Sequence, residues 1–178
     1  SDGKGHTDID LSPMALGGLT YGVYAREMAA AYQIFGNGGI YNEPYSYEKV
    51  EMAGNTILPK RERLTNRALD EDSAYVMNRL LQHVITGRTG ATGAKGAAGR
   101  QLKKDWAVFA KTGTTQENND AYFVAGTPYY VAASWVGYDY NKSLSDTQKT
   151  YARSLWNQAM KVVHQGLSPT PFTKKGNT

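Results

Sequence analysis

The fold of this chain is decided by the sequence KTGTTQENNDAYFVAGTPYYVAASWVGYD, residues 111–139. Residues with a high strand propensity fill this stretch, except at two runs of turn-forming residues, Thr115–Asp120 and Gly126–Pro128. Short β-rich segments separated by turns are typical of neighbouring antiparallel strands. We therefore predict three adjacent strands in this order: Trp106–Thr112, Ala121–Ala125 and Tyr130–Gly137.

Helical patterns precede and follow these strands. Ala25–Phe35 carries apolar residues at helical spacing and runs into a glycine-rich turn. Asp70 or Asp72 can cap a second helix, and a third helix is predicted at Asp146–His164. Helices segregated around an antiparallel sheet predict an α+β domain.

The apolar positions of the two later helices predict which sides face the core. In the second helix these positions are Val76, Met77, Leu80, Leu81, Val84 and Ile85, with Asn78, Arg79, Gln82 and His83 opposite. In the third helix they are Ala152, Leu155, Trp156, Ala159, Met160 and Val163. We expect all three tryptophans, Trp106, Trp135 and Trp156, in the core.

Two intervening segments differ in character. Ile40–Leu58 alternates apolar and polar residues and predicts short strands around a turn at Ala53–Asn55. Gly87–Gly99 contains five glycines whose spacing fits no phosphate-binding loop, so we expect a surface loop there.

Composition excludes several classes of function. The chain has no cysteine, which removes disulfides, thiolate catalysis and cysteine-rich metal sites. The net charge of +4 is spread over scattered Lys and Arg residues, so we do not expect nucleic-acid binding. His6, His83 and His164 share no metal-ligand spacing and are expected on the surface or on a helix face, without a metal or a cofactor. No apolar run approaches the ~20 residues of a membrane helix.

The candidate chemistry lies in Lys111-Thr112-Gly113-Thr114, at the end of a predicted strand. Strand geometry places Thr112 and Thr114 on one face, with Cα atoms about 6.6 Å apart. Two hydroxyls so placed can donate to one carboxylate, Gly113 allows close approach of a ligand to the backbone, and Lys111 adds a positive charge. The alternative is a strand end with a solvated lysine.

The surroundings of this motif resemble a known family. Residues 111–139 closely resemble the corresponding stretch of the transpeptidase domain of bifunctional (class A) penicillin-binding proteins. Upstream, TYGVYAREMAAAYQIFGNGGIY and DEDSAYVMNRLLQHVITGRTG are similar to the family's helix before a small hairpin and to its helix and glycine loop before the motif strand. The resemblance covers about residues 10–165 and identifies residues 1–178 as the C-terminal portion of a single transpeptidase domain.

The resemblance implies a penicillin-binding or serine β-lactamase-like fold, an antiparallel sheet of five strands flanked by helices, of which this chain holds three. It implies D,D-transpeptidation of peptidoglycan stem peptides through an acyl-serine, and acylation of the same serine by β-lactams. Lys111 is then expected to hold positive potential beside the nucleophile. Thr112, Gly113 and Thr114 are expected to bind the substrate or β-lactam, with the Thr114 backbone N–H forming half of an oxyanion hole.

The nucleophile of the family is not recognisable in the chain. The family requires Ser-x-x-Lys at the start of a helix and a separate Ser-x-Asn, and no Ser-x-Asn occurs here. Ser-x-x-Lys occurs at Ser1–Lys4, which is glycine-rich, and at Ser46–Lys49, which lies in a predicted strand region where the two side chains point to opposite sides. We reject both and expect the serine upstream of this chain.

Two functions remain open from the sequence. One is a segment of a transpeptidase on the bacterial cell surface, at the outer face of the cytoplasmic membrane. Its expected partners are the upstream portion of the domain, in the same or a separate chain, together with the stem peptide and β-lactams. The membrane anchor and a glycosyltransferase domain would lie in the upstream part. The other is a non-catalytic module that binds a cell-wall peptide or glycan.

Overall fold

The three strands of residues 111–139 and their neighbours form one antiparallel sheet in the computed structural model, which describes residues 17, 19, 22–58, 62–86 and 105–174. The strands are β5 (Phe109–Thr114), β6 (Asp120–Gly126) and β7 (Val131–Gly137), in the spatial order β5-β6-β7. The first strand begins later than predicted and continues through Thr114. The predicted antiparallel meander is confirmed.

Four short strands precede this sheet. β1 (Ile40–Asn42) pairs with β4 (Thr65–Arg67), and β2 (Val50–Met52) forms a hairpin with β3 (Asn55–Leu58) around the predicted turn. β4 was not predicted from the sequence. The segment after β4 passes close to Gly39, which directly precedes β1. An added Cβ on Gly39 would lie 2.1 Å from the Leu69 carbonyl oxygen, so only glycine fits there.

The helices begin and end close to the predicted positions. They are α1 (Ala25–Tyr32), which continues into a 3₁₀ turn at Gln33–Phe35, α2 (Glu71–Thr86), α3 (Asp146–Lys149) and α4 (Tyr151–Val163). The predicted third helix is therefore interrupted at Thr150. Asp70 is the residue that caps α2, because its Oδ1 accepts the Ser73 N–H at 2.8 Å.

Helices pack on both faces of the sheet. Trp156 of α4 packs edge-on against Phe123, with the ring centroids 5.6 Å apart. The two residues of β6 that flank Phe123, Tyr122 and Val124, point to the other face of the sheet. There the Tyr122 hydroxyl donates to the Val23 carbonyl, just before α1, at 2.6 Å. The expected α+β fold with a helix-flanked antiparallel sheet is confirmed.

The buried side of each long helix agrees only in part with the predicted one: Leu81 and Ile85 of α2, and Ala152, Trp156 and Met160 of α4, are buried as predicted. On α2 the buried residues are Ala74, Asn78, Leu81 and Ile85, whereas Val76, Met77 and Leu80 are exposed. On α4 the buried residues are Ala152, Trp156, Asn157 and Met160, whereas Leu155 and Val163 are exposed. Apolar residues surround much of each helix, so spacing alone did not locate the side that meets the sheet.

Of the three tryptophans only Trp156 is fully buried, at 1% exposure. Trp106 is half-buried, and Trp135 is 38% exposed because it lies at the surface of β7. The prediction that all three are core residues is therefore wrong for Trp135.

The predicted loop Gly87–Gly99, His6 and the Ser1–Lys4 match lie outside the described residues. No helix in the described part of the chain is both long and apolar enough to cross a membrane.

Candidate functional site

The motif Lys111–Thr114 occupies the end of β5, where the strand leaves the core. Phe109 and Ala110 are fully buried, while Lys111 and Thr114 are exposed and Thr112 is half-buried. The strand therefore anchors the motif at one end and presents it to the surface at the other.

Backbone pairing shows which groups of the motif face outward. The Thr115 N–H donates to the Asp120 carbonyl of β6 at 3.3 Å. Because strand residues alternate, Gly113 and Lys111 also direct their N–H and C=O groups toward β6, and Thr112 and Thr114 direct theirs away from the sheet. No strand of the described residues pairs with this outer edge of β5. The N–H groups of Thr112 and Thr114 therefore point to an open strand edge.

The side chains divide between the two faces of the sheet. Thr112 lies opposite Phe123 and Thr114 opposite Ala121, so both threonines share the α4 face, as their spacing predicts. The Lys111 side chain leaves the opposite face of the sheet, but it bends back to the outer edge of β5. There its Nζ donates to the Thr112 carbonyl oxygen at 2.8 Å. The ammonium group and the outward N–H groups thus meet at the same edge.

Gly113 sits in a close contact between strands. A Cβ at this position would lie 3.3 Å from the Cβ of Tyr122, the residue opposite it. Tyr122 is held in place by its hydrogen bond to Val23. Burial, followed by the negative charges of Asp120 and Glu27, raises the pKa of Tyr122, so this hydroxyl remains a donor at neutral pH.

Hydrogen bonds on two sides hold the turn that follows the motif, residues 115–120. The Trp135 Nε1 of β7 donates to Asp120 Oδ1 at 2.8 Å, and the Asp120 N–H donates to Thr115 Oγ1 at 3.0 Å. On the other side the Leu144 N–H donates to the Asn118 carbonyl and Lys149 Nζ donates to Asn118 Oδ1. In the sequence Asp120 is recognisable only as the last residue of a turn-forming run, and its tryptophan partner was not predicted.

The Ser-x-x-Lys match at Ser46–Lys49 does not form a helix. Ser46 lies in an exposed bend, and Lys49 Nζ forms an ion pair with Glu51 at 2.8 Å. A lysine so paired is not directed at Ser46, which supports its rejection as a nucleophile.

His164, expected on the surface or on a helix face, is buried at the end of α4. Its Nδ1 lies 2.7 Å from the Met160 carbonyl oxygen and its Nε2 lies 2.8 Å from Thr127 Oγ1. The rings of Trp106, Tyr129 and Tyr130 surround it edge-on. A carbonyl only accepts, so Nδ1 carries the proton, and the histidine has a packing role.

Among the residues that the structure describes, no cluster of three or more His, Cys, Asp or Glu could hold a metal.

Comparison with known proteins relates the chain to one family. A family model described as the penicillin-binding protein transpeptidase domain matches residues 3–150. The chain is 34% identical over 158 residues to penicillin-binding protein 1A of Clostridium acetobutylicum, covering 85% of this chain and 18% of that protein. The chain thus spans about a fifth of the length of this curated relative.

Solved structures of transpeptidases share the fold. Penicillin-binding protein 1A from Haemophilus influenzae matches with a TM-score of 0.67 at 21% identity, over 85% of this chain and 28% of that chain. The D,D-transpeptidase domain of a peptidoglycan glycosyltransferase from Eggerthella lenta matches with a TM-score of 0.55 at 23% identity, over 80% of this chain and 32% of that one. With the family model matching most of its length, this chain belongs to the family of penicillin-binding protein transpeptidase domains.

Proposed function

We propose that this chain forms the carboxylate-binding and oxyanion-stabilising side of a D,D-transpeptidase that cross-links peptidoglycan stem peptides and is acylated by β-lactams. The family match and the fold shared with a D,D-transpeptidase domain support this reaction. Residues 1–178 are then the C-terminal portion of one transpeptidase domain. An enzyme acting on peptidoglycan works at the outer face of the cytoplasmic membrane.

The observation that carries the proposal is the open edge of β5. Lys111 Nζ lies at this edge, and the backbone N–H groups of Thr112 and Thr114 point toward it. A cation and unpaired N–H donors beside each other favour an extended ligand with an anionic group. A stem peptide that ends in a D-Ala carboxylate has this chemistry.

The roles follow from the chemistry of acyl transfer. A serine hydroxyl from the portion of the domain outside these 178 residues attacks the carbonyl carbon between the two D-Ala residues, and its proton passes to a neighbouring base. The Thr114 N–H stabilises the negative charge on the carbonyl oxygen, and Lys111 and the threonine hydroxyls hold the terminal carboxylate. The C–N bond then breaks, D-Ala leaves with a proton, and an amine of another stem takes the acyl group.

The first test uses side-chain variants in the complete domain, by which we mean these 178 residues together with the upstream portion of the domain, in the same or a separate chain. Lys111→Ala and Thr114→Val each remove a hydrogen bond to a charged group, worth about 1.5–3 kcal/mol. We expect acylation by a fluorescent penicillin to slow about tenfold or more. Thr65→Val, at an exposed strand threonine, and Lys161→Ala, at an exposed helix lysine, are the matched controls and should acylate normally.

The second test addresses the backbone donor itself. Thr114→Pro removes one N–H group, and because that group points away from the sheet, no ladder hydrogen bond is lost. Loss of an oxyanion donor should slow acylation by about 10²–10³. Wild-type acylation by a folded Thr114→Pro variant, as judged by its melting temperature, would refute the oxyanion role. Binding of cell-wall peptide without any covalent adduct would favour the non-catalytic module instead.

A further inference from the structure

The hydrogen bond between Asp120 and Trp135 joins the turn after the motif to the far strand of the sheet. Asp120 is the first residue of β6, and Trp135 lies on β7. The 2.8 Å distance from Nε1 to Oδ1 is typical of a charge-assisted bond. Asp120 is therefore held by its side chain on one side while its backbone holds Thr115 on the other.

The tryptophan reaches Asp120 because of a glycine. Asp120 pairs directly with Gly137, two residues after Trp135 and on the same face. A Cβ on Gly137 would lie 2.3 Å from the Trp135 ring, so the ring occupies the space beside this position. The sequence Trp-Val-Gly at 135–137 thus builds a bridge across the sheet to Asp120, and an alanine at 137 would displace the ring.

Two hydrogen bonds of the Asp120 backbone connect it to Thr115, the residue that follows the motif. Its N–H donates to Thr115 Oγ1 at 3.0 Å and its C=O accepts the Thr115 N–H at 3.3 Å. Thr115 directly follows Thr114, whose N–H points to the open edge. The peptide unit that joins Thr114 to Thr115 therefore has one end held by Asp120, directly beside the peptide unit that carries the Thr114 N–H.

We propose that Asp120 is a positioning residue for transpeptidation, which acts through Trp135 and Thr115 to hold the end of β5 in the orientation that the oxyanion requires. This inference rests on the proposed function of Thr114. Asp120 does not touch the substrate, and its effect is on the geometry of the strand end. Misplacement of a catalytic group by about 1 Å can cost on the order of 100-fold in rate.

The test measures acylation of the complete domain by a fluorescent penicillin, separated into the binding constant and the rate of the covalent step. We expect Asp120→Ala and Trp135→Phe each to slow the covalent step about tenfold, with little change in binding. Asp120→Asn keeps an acceptor for Nε1 and should restore the rate to within about threefold of wild type. The double variant should be no slower than the slower single variant, because both changes break the same link.

Several outcomes overturn the inference. One is a wild-type covalent step in both single variants; another is a slow Asp120→Ala beside a normal Trp135→Phe. If Asp120→Ala fails to fold, Trp135→Phe decides, because it removes the Nε1 donor and keeps an aromatic ring at a partly exposed position. A normal rate in Thr114→Pro refutes the oxyanion role of Thr114, on which the inference rests. Impaired Thr114 variants together with normal Asp120 and Trp135 variants refute only the positioning role.

Discussion

The side-chain amide of Asn78 donates to the backbone carbonyl of Phe35 at 2.9 Å, which ties the middle of α2 to the end of the segment that follows α1. Asn78 is 1% exposed, and its Oδ1 accepts a hydrogen bond from Gln82 at 2.6 Å. A polar side chain is thus buried on the side of α2 that meets the rest of the molecule. Its burial is tolerated because both ends of the amide have partners.

Replacing Asn78 by leucine should therefore destabilise the domain. The change removes the hydrogen-bond partner of the partly buried Phe35 carbonyl, at a cost of about 1–3 kcal/mol. Urea unfolding of the complete domain measures this loss. Arg79→Ala, at the exposed neighbouring position, should stay within about 0.5 kcal/mol of wild type. Equal stability of the two variants would contradict the importance of this bond.

The cap of α2 should make part of the stability depend on pH. The Ser73 backbone N–H, followed by the Ser73 side chain, lowers the pKa of Asp70. A carboxylate with a lowered pKa stabilises the folded state above its unfolded pKa of about 3.9, and this contribution disappears as the pH falls through the folded value. The gap in unfolding midpoint between wild type and Asp70→Ala should thus be constant near neutral pH and close in acid.

The matched control for this pH effect is Asp139→Ala, at an exposed aspartate after β7. We expect no comparable gap for this variant at any pH. A gap for Asp70→Ala that persists unchanged below pH 3 would show that the loss does not come from the charged cap.

Ser46 should be a bystander in acylation. It lies in a bend, and Lys49 is paired with Glu51, so this lysine is not poised to take its proton. In the complete domain Ser46→Ala should react with fluorescent penicillin at the wild-type rate. Loss of labelling at an unchanged melting temperature would identify Ser46 as the nucleophile.

The 178-residue chain alone should form no covalent penicillin adduct. Within the described residues the outer edge of β7 has no strand partner, and α2 exposes Leu80 at 57%. Such surfaces favour aggregation or partial unfolding unless another element covers them. Mixed with the upstream portion, the chain should fold, and intact mass spectrometry should find the adduct on that partner. An adduct on this chain would overturn the proposed division of roles.

Local features of the fold were predictable from the sequence alone. The β-rich runs and their turns lie between residues close in the chain, so the order of β5, β6 and β7 follows from propensity and spacing. The cap at Asp70 and the placement of Thr112 and Thr114 on one face also depend on neighbouring residues only. The motif and its surroundings were sufficient for the family, which the comparisons confirm.

Tertiary structure decided the features that depend on distant partners. Val76 and Leu80 look like core residues by spacing, yet the side of α2 carrying Asn78 is buried, because Phe35 offers a carbonyl there. Likewise, the outward direction of the Thr114 N–H follows from the register of Thr115 with Asp120, and the partner of Trp135 from the pairing of β6 with β7. A hydrophobic pattern states which residues can be buried, whereas the packing of one element against another determines which of them are.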